Sequence, residues 1–171
     1  MPTSQSIAYI GLGSNISPRE KYLSSAIKAL TTNNTIELIN YSSVYESAPS
    51  GGAATGNFLN IVAEIRTFLS AKELFLFLKT LEVDLGRINR GRWSDREIDL
   101  DILLFGKDCY SDDDLEIPHP RICERDFVLV PLLEINPLLS SPIDQTAYIT
   151  KLENLAEKTI IRKLDKIFLD N

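Results

Sequence analysis

The sequence is poor in the residues that most metal and redox sites require. Its 171 residues include two cysteines, Cys109 and Cys123, and a single histidine, His119. This set cannot complete a Cys/His zinc site and forms no redox motif. The sequence has no apolar run of membrane-spanning length, and its first residues lack the pattern of a signal peptide. We therefore expect a soluble cytoplasmic protein with reduced thiols and no membrane partner.

The common glycine-rich phosphate motifs are also lacking. Gly11 and Gly13 follow an apolar run, but Ile16 stands where a third glycine would be needed, and no Gly-Lys-Ser/Thr occurs. A net charge of -6 argues against a general nucleic-acid binder. The stretch 86–96 is a local exception, because it holds four arginines and one acidic residue. The composition thus allows a positive pocket in an acidic protein.

A pair of aspartates follows this arginine-rich stretch. Asp99 and Asp101 alternate with Ile98, Leu100 and Ile102, which predicts a strand with one buried face. The two carboxylates would then lie about 6.5 to 7 Å apart on the other face. Such a pair beside arginines suits Mg²⁺ and a polyphosphate. A solvated strand face beside a basic loop is the alternative.

Hydrophobic periodicity predicts the order strand, helix, strand, strand, helix, strand. This order is typical of a ferredoxin-like α+β sandwich, an antiparallel sheet with helices on one face and active-site loops on the other. The length predicts one domain, 1–171, in which residues 145–171 form a C-terminal helical extension. The predicted elements are strands at 7–12, 36–46, 58–69 and 98–105, helices from capping boxes at Ser17–Glu20 and Ser70–Glu73, and a short helix or turn around Pro131.

Three further features are candidates for function. The stretch 47–57 holds three glycines and a proline, which predicts a long loop. Asn60 is unusual in a strand, and it could bind a heterocycle edge or its own backbone. His119 lies between two prolines and near Arg121 and Arg125, which suits a neutral hydrogen-bond donor to an anion.

Together these motifs resemble the 6-hydroxymethyl-7,8-dihydropterin pyrophosphokinase family of folate biosynthesis. The resemblance covers most of the chain, from Tyr9 to about Leu138. The motifs that carry it are Gly11-Leu-Gly-Ser-Asn15, Ser43-Val-Tyr-Glu-Ser-Ala-Pro49, Phe58-Leu-Asn60, Leu85-Gly-Arg87, Arg92-Trp93, Arg96, Ile98-Asp-Leu-Asp-Ile-Leu-Leu-Phe-Gly106, Ile117-Pro-His-Pro-Arg121 and Arg125-Asp-Phe-Val-Leu-Val-Pro131.

The resemblance implies transfer of pyrophosphate from ATP to the pterin hydroxymethyl group, with release of AMP. It implies two Mg²⁺ ions held by Asp99 and Asp101, and small-molecule partners rather than nucleic acid. It leaves room for contact with neighbouring folate-pathway enzymes, and we expect a monomer. The implied residues are Arg87, Arg96, Asp99 and Asp101 for catalysis; Glu82, Arg92, Arg96, Ile102, His119 and Arg125 for ATP; and Ser47, Ala48, Ser50, Phe58, Asn60, Trp93 and Phe127 for the pterin.

The sequence departs from the family pattern at one point. Ser94-Asp95 stands where the family commonly has Gly-Pro, which changes loop stiffness and adds a negative charge near the phosphates. Two other functions remain open from sequence. One is a nucleic-acid-binding module that uses the arginine-rich loop, and the other is a pterin-binding protein without chemistry.

Overall fold

A six-stranded antiparallel sheet organises the computed structural model, which describes residues 5–52, 54–91 and 94–167. The strands run in the order β5-β1-β4-β3-β8, and β2 also pairs with β4. The elements are β1 (Ser6–Ser14), α1 (Arg19–Thr32), β2 (Ile36–Tyr41), β3 (Val44–Ser47), β4 (Phe58–Thr67), α2 (Ala71–Asp84), β5 (Asp99–Phe105), β6 (Tyr110–Ser111), β7 (Glu116–Ile117), α3 (Asp126–Ile135), α4 (Tyr148–Glu153) and β8 (Ile160–Leu164).

The predicted second strand, 36–46, is divided into two segments that pair with successive parts of β4. Ser42 lies at the break. Its N–H donates to the Val62 carbonyl at 2.9 Å, while its Oγ accepts from the Val62 N–H at 3.0 Å. A serine hydroxyl that takes a ladder position in this way interrupts regular pairing. With β2 and β3 counted as one broken strand, the predicted ferredoxin-like order is confirmed.

The two faces of the sheet are covered differently. α1 and α2 pack on the face formed by alternate residues such as Ile10, Leu59 and Leu100, which make the larger core. α3 and α4 cover part of the opposite face, where Tyr9 and Leu129 belong to a second apolar cluster. Helices therefore lie on both faces, and the loops share the second face with α3 and α4.

The two predicted capping boxes have different outcomes. At α2 the Ser70 side chain accepts from the Glu73 N–H at 3.3 Å, and Glu73 Oε2 accepts from the Ser70 N–H at 2.8 Å. The box predicted at Ser17 is wrong. Helix α1 begins at Arg19, so the N-cap position falls on Pro18, which has no side-chain oxygen.

The predicted C-terminal helical extension is wrong over much of its length. α4 has six residues, and Ile160–Leu164 forms β8, which pairs antiparallel with β3. β-branched Ile160 and Ile161 favour a strand, and β3 would otherwise present an unpaired edge. Near Pro131, the expected short helix or turn is a full helix, α3, which runs through the proline. Among the described helices, none is long and apolar enough to cross a membrane.

Candidate active site

A cavity of about 900 Å³ lies over the second face of the sheet. Its floor comes from β1, β4 and β5, and its walls come from the loops around Ser50 and Gly91 and from the start of α3. Most of the predicted site residues line it. They are Arg87, Arg96, Asp99, Asp101, His119 and Arg125, together with Ser47, Ala48, Ser50, Phe58, Asn60 and Phe127.

The alternation predicted for β5 is confirmed. Leu100 is fully buried in the core, whereas Asp99 and Asp101 face the cavity. In the register of β1 with β5, Gly13 lies opposite Asp99 and Gly11 opposite Asp101. Both glycines lie within β1. A Cβ on Gly11 would come within 3.3 Å of the side chain of Leu103, which also lines the cavity.

Asp99 is held between two arginines. Arg87 Nη1 donates to its Oδ1 at 2.7 Å, and Arg96 Nη1 donates to its Oδ2 at 2.7 Å. Burial acts to raise the pKa of Asp99, but Arg96, Arg87 and Lys79 outweigh it and hold that pKa below its usual value. Asp99 is therefore charged at neutral pH.

Asp101 lies near a lysine and a histidine. Lys79 Nζ is 3.5 Å from its Oδ1, and His119 Nε2 is 3.9 Å from its Oδ2. The His119 Nδ1 accepts from the Arg121 N–H at 3.1 Å, so the ring proton belongs on Nε2. Burial lowers the pKa of His119, and Arg125 acts in the same direction against Asp101. His119 is therefore a neutral donor directed at the carboxylate end of the cavity.

The two carboxylates fit a magnesium site that is completed by ligands from outside the protein. Asp99 and Asp101 supply the hard oxygen atoms that Mg²⁺ prefers. Within the described ranges, no cluster of three or more His, Cys, Asp or Glu residues could hold a metal ion. Phosphate oxygens and water would therefore have to fill the remaining positions, as is usual for Mg²⁺.

Lys79 is a site residue that the sequence analysis missed. Its Nζ donates to Glu82 Oε1 at 2.8 Å and to the Leu100 carbonyl at 2.9 Å, and it lines the cavity. Burial acts to lower the pKa of Lys79, but Asp101 and Glu82 raise it above its usual value. The signal in the sequence was its position three residues before Glu82, which puts both on one helix face.

Glu82 and Ile102 were predicted to bind ATP, but the structure places both outside the cavity lining. Glu82 is buried beneath the cavity, where it pairs with Lys79 and also with Arg87 Nη1 at 2.6 Å. The Leu100 N–H donates to Glu82 Oε1 at 2.7 Å. The Ile102 side chain lies in the core on the opposite face of the sheet. Glu82 therefore holds the cavity residues Lys79 and Arg87 in position. Only the backbone of Ile102 could contact a nucleotide in the cavity, because its side chain lies in the core.

The predicted pterin residues lie on the far side of β1 from the aspartates. β5 and β4 flank β1, so Asn60 and the carboxylates are two strand spacings apart, about 10 Å. The Asn60 amide nitrogen donates to the Tyr45 carbonyl at 3.1 Å and to Ser47 Oγ at 3.0 Å. Its two hydrogens are therefore used, and the side-chain oxygen is the atom available to a ligand.

Aromatic rings line the same side of the cavity. Phe58 begins β4 and Phe127 lies in the first turn of α3, and both rings line the cavity. The Arg125 guanidinium carbon lies 5.6 Å from the centre of the Phe127 ring. Two predicted residues, Arg92 and Trp93, lie outside the described residues.

The arginine-rich loop is anchored by a carboxylate that the sequence analysis did not select. Glu97 accepts from Arg90 Nη1 at 2.9 Å and from Arg90 Nη2 at 2.6 Å, and also from the Ile88 N–H at 3.2 Å. Arg90 lowers the pKa of Glu97 to about 2. Arg90 is thus committed to holding the loop, whereas Arg87 and Arg96 point to Asp99.

Asp95, at the departure from the family pattern, joins two loops. Its carboxylate accepts from the Thr55 N–H at 2.9 Å, from Thr55 Oγ1 at 2.9 Å and from Asn15 Nδ2 at 2.5 Å. Asn15 in turn accepts from the Arg96 N–H at 2.7 Å. The Asp95 carboxylate therefore holds the loop 48–57 through Thr55. Ser94 Oγ donates to the Gly91 carbonyl at 2.9 Å within its own loop.

Comparisons with known proteins identify the family of the chain. The sequence profile described as 7,8-dihydro-6-hydroxymethylpterin-pyrophosphokinase (HPPK) matches residues 9–137. A Bacillus subtilis protein named 2-amino-4-hydroxy-6-hydroxymethyldihydropteridine pyrophosphokinase is 45% identical over 129 residues, which are 75% of this chain and 77% of that protein. An Aquifex aeolicus protein of the same name is 44% identical over 135 residues, which are 79% of this chain and 83% of that protein.

The fold also matches solved structures. The wild-type Plasmodium falciparum HPPK-DHPS crystal structure superposes with a TM-score of 0.71 at 14% identity. The match covers 88% of this chain and 44% of that one. This chain therefore spans less than half of that longer protein, and at this identity the match shows the fold alone.

Proposed function

Because the chain belongs to the 7,8-dihydro-6-hydroxymethylpterin-pyrophosphokinase family, we propose that it is an enzyme that transfers pyrophosphate from ATP to 6-hydroxymethyl-7,8-dihydropterin. One observation carries this proposal. One cavity of about 900 Å³ contains two sets of groups. The first set is Asp99 and Asp101 with their neighbouring cations, and the second is the Asn60 amide with the rings of Phe58 and Phe127. ATP needs the first set of groups, and a flat heterocycle needs the second.

The reaction exchanges one phosphorus–oxygen bond for another. The hydroxymethyl oxygen of the pterin attacks the β-phosphorus of ATP, and a new O–P bond forms there. The bond between the β-phosphorus and the oxygen that bridges to the α-phosphorus breaks. AMP leaves with that oxygen, and the hydroxyl proton leaves to solvent. The products are AMP and the pterin diphosphate, so no step requires a covalent enzyme intermediate.

Charge neutralisation is the main contribution of the protein to such a transfer. Arg87 and Arg96 lie 2.7 Å from Asp99 and can turn to phosphate oxygens when these replace the carboxylate as partner. His119 offers a neutral Nε2–H, and Lys79 adds a fixed positive charge beside Asp101. Lys79 and His119 already lie beside Asp101 before ATP binds, which reduces the reorganisation needed during reaction.

Asp99 and Asp101 are the residues that would hold magnesium, and we assign two ions to this pair together with the triphosphate. The ions would offset phosphate charge and orient the β- and γ-phosphates.

The pterin end combines an edge contact with ring stacking. The Asn60 side-chain oxygen can accept from a ring N–H or amino group, and the backbone near Ser47, Ala48 and Ser50 borders the same space. Phe127 offers a ring face to a flat pterin. Phe58 closes the cavity at the start of β4. Trp93 is the second stacking ring that the family resemblance implies.

Water exclusion would come from two loops that border the cavity, 48–57 and 86–97. Asp95 of the second loop accepts hydrogen bonds from Thr55 of the first, so the positions of the two loops are coupled. Excluding water matters, because water would compete with the pterin hydroxyl for the β-phosphorus. We also assign this protein to the cytoplasm as a monomer. Contact with a neighbouring folate-pathway enzyme, for which the family resemblance leaves room, is part of the proposal.

The test is product identification with purified protein, ATP, Mg²⁺ and 6-hydroxymethyl-7,8-dihydropterin. AMP should appear with the pterin diphosphate, and omission of Mg²⁺ should stop the reaction. Formation of ADP, or an absence of turnover in a folded sample, would refute the assignment. The Asp99→Asn variant serves as a matched control for contaminating ATPases, because it should remove turnover while keeping the shape of the side chain.

A further inference from the structure

The C-terminal strand lies outside the part of the chain that defines the family. The family match ends at residue 137, whereas β8 spans Ile160–Leu164. This strand nevertheless pairs with β3, and its first residue, Ile160, lies opposite Ser47. Ser47 belongs to the predicted pterin wall, so the segment is positioned to influence that wall.

The residue that precedes β8 bonds directly to the pterin wall. The Thr159 carbonyl accepts from the Ala48 N–H at 2.9 Å. This bond continues the ladder between β3 and β8 beyond the end of β3. The backbone at Ala48 borders the cavity, so its position depends on where Thr159 is held.

Asp126 holds Thr159 on its other side. This buried carboxylate accepts from the Thr159 N–H at 2.7 Å, from Thr159 Oγ1 at 2.6 Å and from the Ile160 N–H at 2.9 Å. Only 3% of Asp126 is exposed. Hydrogen bonds from neutral donors to a charged, buried acceptor are stronger than ordinary ones. Asp126 is also the first residue of α3 and directly precedes Phe127.

A second ionic tie joins β8 to the start of β4. Glu46 Oε2 accepts from Arg162 Nε at 2.6 Å, and Glu46 Oε1 accepts from Arg19 Nη1 at 2.9 Å. Arg19 Nη1 also donates to the Asn57 carbonyl at 2.8 Å, next to Phe58. The C-terminal strand is thereby connected to each side of the cavity that carries predicted pterin residues.

We propose that the segment Thr159–Leu164 is a brace that sets the separation of the two pterin walls, with Asp126 and Thr159 as its positioning residues. One wall is the backbone at Ser47 and Ala48, and the other is the Phe127 ring. Thr159 is bonded directly to the first wall through the Ala48 N–H, and it is connected to the second wall through Asp126, the residue before Phe127. This inference rests on the proposed function, because it assigns the cavity to a pterin.

The first test is the Asp126→Asn variant, with Asp165→Asn as its control. Asparagine keeps the shape but replaces one acceptor oxygen with an amino group. Either the Thr159 and Ile160 N–H groups or the Phe127 N–H must then face that amino group instead of an acceptor. Loss of these bonds should raise the KM for the pterin about tenfold. The KM for ATP should change less than about twofold, because Asp99 and its partners Arg87 and Arg96 make no hydrogen bond to Asp126 in the part of the chain that the structure describes. Asp165 is exposed and directly follows the segment, so Asp165→Asn should give wild-type constants.

The second test compares two substitutions at Thr159. Thr159→Val removes the hydroxyl and keeps the shape, and it should raise the pterin KM by about threefold. Thr159→Ser keeps the hydroxyl and should restore a value near wild type. The two Thr159 variants also test the proposal if Asp126→Asn fails to fold, because both variants retain the backbone hydrogen bonds to Asp126.

Two results would overturn the brace. One is an unchanged pterin KM in both Asp126→Asn and Thr159→Val. The other is an equal rise in the KM for pterin and ATP, which would indicate general loosening. If wild-type protein releases no AMP, the proposed function fails. The brace is then tested by equilibrium titration with the pterin alone, where Asp126→Asn should weaken binding about tenfold and unchanged binding would refute it.

Discussion

Replacing Glu97 with glutamine should destabilise the protein in a way that depends on pH. Glu97 accepts two bonds from the Arg90 guanidinium and one from the Ile88 N–H, and the pKa of Glu97 is lowered to about 2 from an ordinary value of 4.5. A lowered carboxyl pKa in the folded state means that the charged form stabilises the fold. That stabilisation is complete above pH 4.5 and is lost as the pH falls toward 2.

The size of the effect follows from the pKa and from solvent exposure. A shift of this size corresponds to about 3 kcal/mol of the free energy of unfolding. The Arg90 side chain is 36% exposed, so solvent screens the pair. We therefore expect Glu97→Gln to lower the free energy of unfolding by about 1–2 kcal/mol at pH 7. At pH 3 less than about half of this difference should remain.

Urea unfolding of wild type, Glu97→Gln, Arg90→Gln and the double variant measures this directly. The double-mutant cycle isolates the coupling of the pair from other effects of each substitution. Glu157→Gln is the matched control, because Glu157 is exposed. The reasoning would be refuted by a coupling that is equal at pH 7 and pH 3, or by a Glu97→Gln difference no larger than that of the control.

Three further predictions concern the site and its support. Glu82→Ala should lower the free energy of unfolding by about 3 kcal/mol, because the half-buried cations Lys79 and Arg87 lose the buried carboxylate that they share. A change under about 1 kcal/mol in thermal or urea unfolding would contradict this. Asp95→Ala should speed hydrogen exchange at the Thr55 N–H about tenfold. Unchanged protection by mass spectrometry or NMR would show that the Asp95–Thr55 hydrogen bonds are absent in solution. Asp101→Asn should lower kcat at least about 100-fold with an unchanged circular dichroism spectrum, and near-normal turnover would make Asp101 part of a solvated strand face.

The features that could be predicted from sequence are those fixed by local pattern. The alternation around Asp99 and Asp101 requires only period two and a core on one face, and the structure confirms it. The capping box at Ser70 is a contact between residues three apart, and it is present as expected. His119 was expected as a neutral donor because prolines hold it extended beside arginines, and its hydrogen bond with Arg121 agrees.

The features that sequence could not give depend on distant partners. β8 forms because β3 offers an edge more than a hundred residues earlier in the chain, and apolar spacing alone favoured a helix. The burial of Glu82 beneath the cavity depends on how α2 packs against β5. The partner of Asp95 is Thr55, forty residues away. The nucleic-acid alternative is set aside by the family match over residues 9–137.

The claim that the whole β,γ-pyrophosphoryl unit moves to the pterin is tested most directly with labelled ATP. With ATP labelled at the γ-phosphorus, the label should appear in the pterin product, and with ATP labelled at the α-phosphorus it should appear in AMP. Both products should form in equal amounts and only when the pterin is present. Recovery of the γ-label as inorganic phosphate, or of the α-label in ADP, would contradict the account.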